Sequence, residues 1–346
     1  MLPYFFILFV VTLWICIERR SLGRKSLYFP FFCLLLLFSL RDFSVGTDTI
    51  VYTDKFINPV LVEYYTFNNN IEFGYQGLEY LLLKFSHNYF WLFLLCGFII
   101  LSGFFYILRK YSTNYLLSIF IFITFGIYTF SFNILRQGIA ISICFFALHF
   151  LIQRKLLYYF LSVAVASLFH ISALIMLIFP FLLQFKIRIE YKMLMVFLFS
   201  LFFSSIVISY LSRDNVRYEA YSQASEFAGG YFVLLFYLFW VFLLYFFGRK
   251  ERILNIKYAV LEQIYILGII LVIPIALLGT NPSGPQRLLS YFSPLLMLLI
   301  PVIIERFNSR VITFLFIIVS CIYFYLNLFS FGDLIPYSLN PIFEVF

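Results

Sequence analysis

From Leu2 to Leu328 the chain passes through one apolar run after another, each ended by a short charged cluster. The runs are about 15 to 20 residues long, which at ~1.5 Å rise per residue suits a helix crossing a hydrocarbon layer. Within such a layer every backbone N–H and C=O must be satisfied inside the protein. The expected fold class is therefore all-α, a polytopic integral membrane protein. A soluble alternative fails on composition, because a chain of 346 residues that is 64% hydrophobic and 12% charged carries more apolar surface than a soluble core of that size can hide.

The run from Leu2 to Ile17 has no basic stretch before it and no small-residue cleavage site after it, so it reads as an uncleaved anchor rather than a signal peptide. Spans are expected near residues 2–18, 26–40, 89–108, 115–131, 134–152, 192–211, 231–248, 259–278, 288–304 and 311–328. The stretch from Leu156 to Phe185 is long for one span and short for two, with basic pairs at both ends. Parity decides. If it is a hairpin turning near His170, the clusters at Arg19 to Lys25, Arg109/Lys110, Arg154/Lys155, Lys186 to Lys192, Arg249 to Lys257 and Arg306/Arg310 all lie on one side, as the positive-inside rule favours. The expectation is about twelve membrane segments, two of them short, in a single polytopic domain spanning 1–346.

This distribution also explains the net charge of +8, which reflects cytoplasmic connections rather than a nucleic-acid surface. Cys16, Cys33, Cys96, Cys144 and Cys321 all sit in apolar runs without C-x-x-C spacing, so packing accounts for them. The longest outer connection, residues 41–88, contains Leu78, Leu81, Leu82 and Phe85 at the spacing of an amphipathic helix, expected to lie flat on the outer interface. The other outer connections are Ser212 to Gly230 and Gly279 to Arg287.

The basic residues left outside by this topology are Arg41, Lys55, Lys84, Arg136, Arg213, Arg217 and Arg287. Arg41 ends an outward-running helix, where snorkelling to the interface suffices. Arg136 and Arg287 instead fall near helix starts, where the dipole disfavours a cation by roughly 0.3 to 1 kcal/mol. Asn133 is the expected N-cap before Arg136, and Ser283 or Gly284 followed by Pro285 the expected start before Arg287. A guanidinium beside free N–H groups makes a site for a multiply charged anion such as diphosphate.

His170, at the turn and on the same side, is either a packing residue or a general base or orienting donor. Asp48 in "SVGTDT" and Glu72 before "FGYQG" are each either an N-cap or a carboxylate over the outer mouth that accepts a proton from a sugar hydroxyl, ranking after His170 as the catalytic base. Tyr52 and Tyr75 would suit sugar stacking in a chain rich in tyrosine. No Walker A, G-x-G-x-x-G, H-E-x-x-H, G-x-S-x-G or D-x-D pattern appears, so no metal site and no nucleotide cofactor are expected.

In order along the chain, "RDFSVGTDTIVYTDKF", "IEFGYQGLEYLLLKFS", "NILRQGIAIS", "FHISALI" and "GPQRLLSYF" resemble the EpsG-type branch of the Wzy-like polysaccharide polymerases, from Arg41 to Tyr291. The resemblance implies a bacterial cytoplasmic-membrane enzyme that polymerises polyprenyl-diphosphate-linked oligosaccharide repeat units at the outer face, for exopolysaccharide, capsule or O-antigen. Its partners would be that lipid-linked substrate, the bilayer, and a chain-length regulator and flippase of the same pathway. It also implies Arg41, Asp48, Glu72, Arg136, Gln137, His170 and Arg287 as the functional set, Arg41 joining the other two arginines on diphosphate. Two rivals are a flippase or other transporter of lipid-linked oligosaccharide, and a membrane acyltransferase using His170 as base. Transporters usually place polar sites near the midplane in related halves. An acyltransferase needs no pair of arginines at helix starts.

Overall fold

The apolar runs are helices, and among the described residues no strand forms. The computed structural model describes residues 1–58, 62–212, 231–277, 285–330 and 332–343. Arg213, Arg217 and the Ser283–Gly284 start expected before Arg287 lie outside them. Helices long and apolar enough to cross a membrane number seven among the described residues, at 2–22, 90–111, 115–133, 135–152, 256–277, 286–307 and 310–330. Shorter apolar helices lie at 28–39, 156–167, 171–184 and 231–247. All five cysteines are free.

By packing, the chain falls into two units, Met1–Leu174 with Ile304–Phe346, and Ile175–Ile303. The first contains α1 (Leu2–Leu22), α2 (Tyr28–Ser39), α3 (Thr49–Ile57), α4 (Phe73–Leu83), α5 (Phe90–Tyr111), α6 (Tyr115–Thr124), α7 (Ile127–Asn133), α8 (Leu135–Ile152) and α9 (Leu156–Ser167), and it ends with the last long helix, Arg310–Ser330. The centre is α8, buried along most of its length and packed on α5 and α9. Close approach of α5 and α8 depends on Gly103, where a Cβ would collide with the Ser142 side chain and carbonyl; the Ser142 hydroxyl donates to Ile100 O at 2.6 Å. Small residues let helix backbones meet in this way. Gly103→Val is expected to cost about 1–3 kcal/mol by overpacking, read as loss of the monodisperse peak in detergent while a lipid-facing control, Phe314→Leu, leaves it unchanged.

Where the sequence suggested one span at 115–131, the helix breaks at Gly126, which takes φ +73° against the Asn327 side chain before α7 starts. A second break follows α9. The helix stops at Ser167 and a 3-10 helix runs from Ile171 to Ile178, which leaves His170 in the gap where the turn was expected.

The connections of this unit sort to its two ends. At one end Lys25 Nζ donates to Arg109 O and Ser112 O, and the Tyr115 hydroxyl to Ser26 O. His149 belongs here, its Nδ1 2.6 Å from the Tyr111 hydroxyl and its Nε2 3.3 Å from Lys110 Nζ. At the other end, residues 332–340 lie along the start of the long loop. Asp42 N donates to Ser338 O (2.9 Å), Gly46 N to Asp333 O (3.0 Å), Thr47 N to Gly332 O (3.2 Å) and Asn340 N to Leu40 O (2.8 Å). The Tyr4 hydroxyl secures Leu334 O and the Tyr337 hydroxyl secures Leu37 O.

Within the long loop, α4 presents its polar side to the protein. Tyr75, Gln76, Glu79 and Leu83 are buried, whereas Phe73, Leu81 and Phe85 are 68%, 57% and 85% exposed. Gln76 is used up locally, accepting from Asn68 N and donating to Asn68 O and Ile71 O. Glu79 takes Lys55 Nζ and the Tyr65 hydroxyl, each at 2.6 Å. The apolar stripe seen in the sequence therefore points away from the protein, which in water would be costly and against lipid is favourable.

The second unit is built around the helix Ile256–Leu277. The Ser200 hydroxyl donates to Leu271 O and the Tyr265 hydroxyl to Tyr237 O, tying the helices Ile189–Ser212 and Tyr231–Phe247 to it. Gly268 leaves room for the Phe292 ring, which also meets Phe179 edge-on.

Candidate functional site

Arg136 is the second residue of α8, and the helix start it occupies has no side-chain cap. The residue expected to cap it does something else. Asn133 ends α7, donates from Nδ2 to Gly332 O, and fills the space where a Cβ on Gly46 or Gly332 would sit. Gly46 has φ +111°, so the loop passes Asn133 in a conformation that side chains resist. The N-cap position of α8 is Ile134, whose side chain has no oxygen to offer the first-turn N–H groups.

Arg136 is 8% exposed, and its Nη1 donates to Glu72 Oε2 at 2.5 Å. Tyr52 is a hydrogen-bonding neighbour, and the Tyr75 ring lies 5.9 Å from the guanidinium carbon. Tyr52 and Tyr75 meet at 5.7 Å with tilted planes, and both are buried. Neither presents an open face for stacking a sugar, contrary to the sequence expectation; the two rings wall the arginine instead. Gln137, the next residue, is buried beside it.

Glu72 is the residue before α4, in extended conformation, and its side chain does not cap that helix. One carboxylate oxygen faces Arg136. The other accepts from Ile171 N at 3.4 Å, and two residues on, Gly74 N donates to Leu168 O at 2.8 Å. The start of α4 is thus fixed over the break that holds His170. A Cβ on Gly74 would collide with Leu168, which requires glycine at that approach. His170 Nδ1 lies 2.6 Å from the Ser172 hydroxyl and accepts from Ser172 N at 3.3 Å. With Nδ1 engaged as an acceptor, the neutral ring carries its proton on Nε2.

The structure therefore brings Glu72, Arg136, Tyr52 and Tyr75 together and ties the turn holding His170 to Glu72 through Ile171 N, with Gln137 buried next in sequence to Arg136. Asp48 stands at the N-cap of α3, where its backbone carbonyl accepts from Val51 N at 3.2 Å and its side chain makes no cap bond, two residues from the Gly46 that packs on Asn133. Arg41 is elsewhere in character. It is wholly buried, with Nη1 donating to Phe38 O and its guanidinium carbon 3.8 to 4.4 Å from the rings of Phe38, Phe93 and Phe132. Neither snorkelling nor contact with a diphosphate describes that position, since three aromatic faces occupy the space around the cation. Arg287 belongs to the second unit, in the 3-10 helix Pro285–Tyr291 that begins at the proline, and is half-buried; Ser290 Oγ donates to its carbonyl.

Sequence reasoning missed Ser172, although the stretch "FHISALI" contains it, because a hydroxyl two residues from a histidine carries no signal until the turn brings them together. It also missed the role of Gly74. Among the described residues, no group of three or more His, Cys, Asp or Glu side chains converges to hold a metal.

No curated protein and no solved structure matches the chain. The EpsG family profile matches residues 25–339, which takes in the loop carrying Glu72, the helix start carrying Arg136, the break at His170 and the 3-10 turn carrying Arg287. With nearly the whole length matched, the chain belongs to the EpsG family.

Proposed function

We propose that this chain is a glycosyltransferase that joins polyprenyl-diphosphate-linked oligosaccharide repeat units at the outer face of a bacterial cytoplasmic membrane. Family membership supports polysaccharide polymerisation in general. The observation that carries the specific reading is the Arg136–Glu72 pair: a guanidinium at an uncapped helix start, held by a carboxylate from a loop.

In the proposed reaction the donor's diphosphate takes the place of Glu72 on Arg136. The acceptor hydroxyl oxygen bonds to the donor's anomeric carbon, the bond from that carbon to the diphosphate oxygen breaks, and polyprenyl diphosphate leaves with the electron pair. Arg136 and the α8 N–H groups hold the departing charge, the kind of preorganised stabilisation that matters most in a partly dry site. Glu72, released from its cation, accepts the acceptor's proton. His170 offers its Nε2 proton to a sugar oxygen and so acts as an orienting donor, which moves the base role from the histidine favoured by the sequence to the carboxylate. Arg287 is the second proposed diphosphate ligand, assigned on its own local surroundings; Gln137 and Asp48 are proposed to orient sugar. The energy comes from the donor, so neither metal nor nucleotide is invoked.

The proposed topology has about twelve membrane segments: the seven long helices, the shorter apolar ones and the helix Ile189–Ser212. The end of the first unit holding Arg136, His170 and the long loop faces outside, and α4 lies on the outer leaflet with Phe73, Leu81 and Phe85 toward lipid.

The function is tested by supplying lipid-linked repeat units already on the outer leaflet of proteoliposomes and measuring chain length with and without the protein. Extension that needs the protein is the expected result. Extension without it, or extension only when substrate starts on the inner leaflet, assigns transport instead.

A further inference from the structure

The second unit contains a cavity of about 880 Å³ that the proposed reaction does not use. Its charged lining is Lys186, Arg188, Glu190, Lys192, Arg249 and Arg252, with Phe185 and Phe246 among the apolar walls. Arg252 is already neutralised, its Nε and Nη2 donating to the two oxygens of the buried Glu262 at 2.5 and 2.9 Å. Glu190 accepts from the Tyr245 hydroxyl at 2.5 Å and is the one carboxylate in the lining. Lys186, Arg188, Lys192 and Arg249 form no ion pair with a carboxylate among the described residues.

Lys192 is the decisive residue. Basic side chains in a cytoplasmic connection are ordinary, and exposed ones such as Lys186 and Arg188 need no counter-ion beyond solvent. Lys192 is only 3% exposed, and among the described residues its ammonium has one hydrogen-bond partner, the neutral Gln263 Oε1 at 2.8 Å. An ammonium has three protons to donate, and burying its charge without an opposite one is expensive. It also sits in the first turn of the helix Ile189–Ser212, where the dipole adds to the positive potential instead of relieving it. Glu190, in the same turn and near Arg188, offsets part of this charge, but the four unpaired cations leave the cavity net positive, and it has the volume to admit an anion.

We propose that this cavity binds the phosphate head group of an anionic membrane lipid, with Lys192 at its base and Arg188, Lys186 and Arg249 around it. The apolar walls favour an amphiphile over a free ion: Phe185 and Phe246 are more than half exposed and continue the cavity toward the acyl region. On the topology proposed above the cavity opens to the cytoplasmic leaflet, where anionic lipid is concentrated. The site itself depends on neither that topology nor the polymerase reading.

The test uses the full chain, with lipid retention measured by native mass spectrometry from detergent and melting temperature measured in nanodiscs of phosphatidylcholine. Phosphatidylglycerol should be retained in preference to phosphatidylcholine, and Lys192→Gln and Arg188→Gln should each weaken that preference about fivefold, the worth of one cation near an anionic head group. Arg188→Gln alters an exposed rim position and keeps the test valid if Lys192→Gln fails to fold. Lys257→Gln, equally basic but outside the cavity, should change nothing; an equal loss there would mean diffuse charge and overturn the site. Inorganic phosphate separates the sources: a raised melting temperature in pure phosphatidylcholine with displacement of phosphatidylglycerol identifies a soluble phosphate as the ligand. Phosphatidylglycerol that stays bound against phosphate identifies lipid. Equal retention of the two lipids with no response to phosphate refutes the proposal.

Discussion

Arg136→Lys is expected to abolish long polymer while leaving the protein folded and single lipid-linked repeat units accumulating in the membrane. The substitution keeps a positive charge next to Glu72, so the partly buried carboxylate retains a counter-ion and the fold is spared. What it removes is the planar fork. A guanidinium can hold two oxygens of a diphosphate at once, whereas an ammonium is a compact, strongly hydrated point charge. Loss of one preorganised donor set at a developing anion costs about 10² to 10³ in turnover. Arg136→Ala is a poorer probe, because stranding the Glu72 charge costs about 3–5 kcal/mol and confuses instability with inactivity. Chain length on a gel, read together with the ladder of lipid-linked intermediates, decides the matter. A lysine variant that makes full-length polymer removes Arg136 from the diphosphate.

Glu72→Gln separates catalysis from support. The amide keeps the shape of the side chain and an oxygen for Ile171 N, and it loses the charge that occupies Arg136. If Glu72 only props the loop, the variant should weaken donor binding and turnover together. If Glu72 is the base released by the incoming diphosphate, the two should move apart. Donor KM should hold or fall, because nothing now competes for the guanidinium, and kcat should drop about 10² to 10⁴, the usual contribution of a positioned base. His170→Gln should raise acceptor KM more than it lowers kcat, since the structure engages Nδ1 with Ser172 and leaves the ring a donor's role.

The helices were legible because apolar length is a local property, and the helix break at His170 falls where counting charges puts the turn of a hairpin, a reversal that stays part of the proposed topology. Both partners of the central ion pair were also picked out from the sequence. That they meet was not, because Glu72 and Arg136 are 64 positions apart and only the contact of the α4 start with the 168–171 break fixes their distance. Arg41 misled for a related reason. A lone arginine at a helix end reads as an interface anchor, and nothing in its neighbourhood announces that Phe93 and Phe132 will close over it from two other helices. Asn133 shows the limit of capping rules: a good cap residue two positions ahead of a helix start is taken by the neighbouring loops when those are glycines with space for it. Tyr52 and Tyr75 could not be told from the many other tyrosines until the fold set them against Arg136.

Residues 332–340 carry a consequence for how this protein is made. They supply the backbone partners of residues 40–47, and Gly332 anchors the asparagine two positions ahead of the arginine's helix. Helices leave the ribosome in order, yet the end of the first unit proposed to carry the reaction has no finished shape until some three hundred residues later. A chain stalled or cut short before that point would be helical but without the backbone partners of residues 40–47, so on the proposed function incomplete products are expected not to consume lipid-linked sugar.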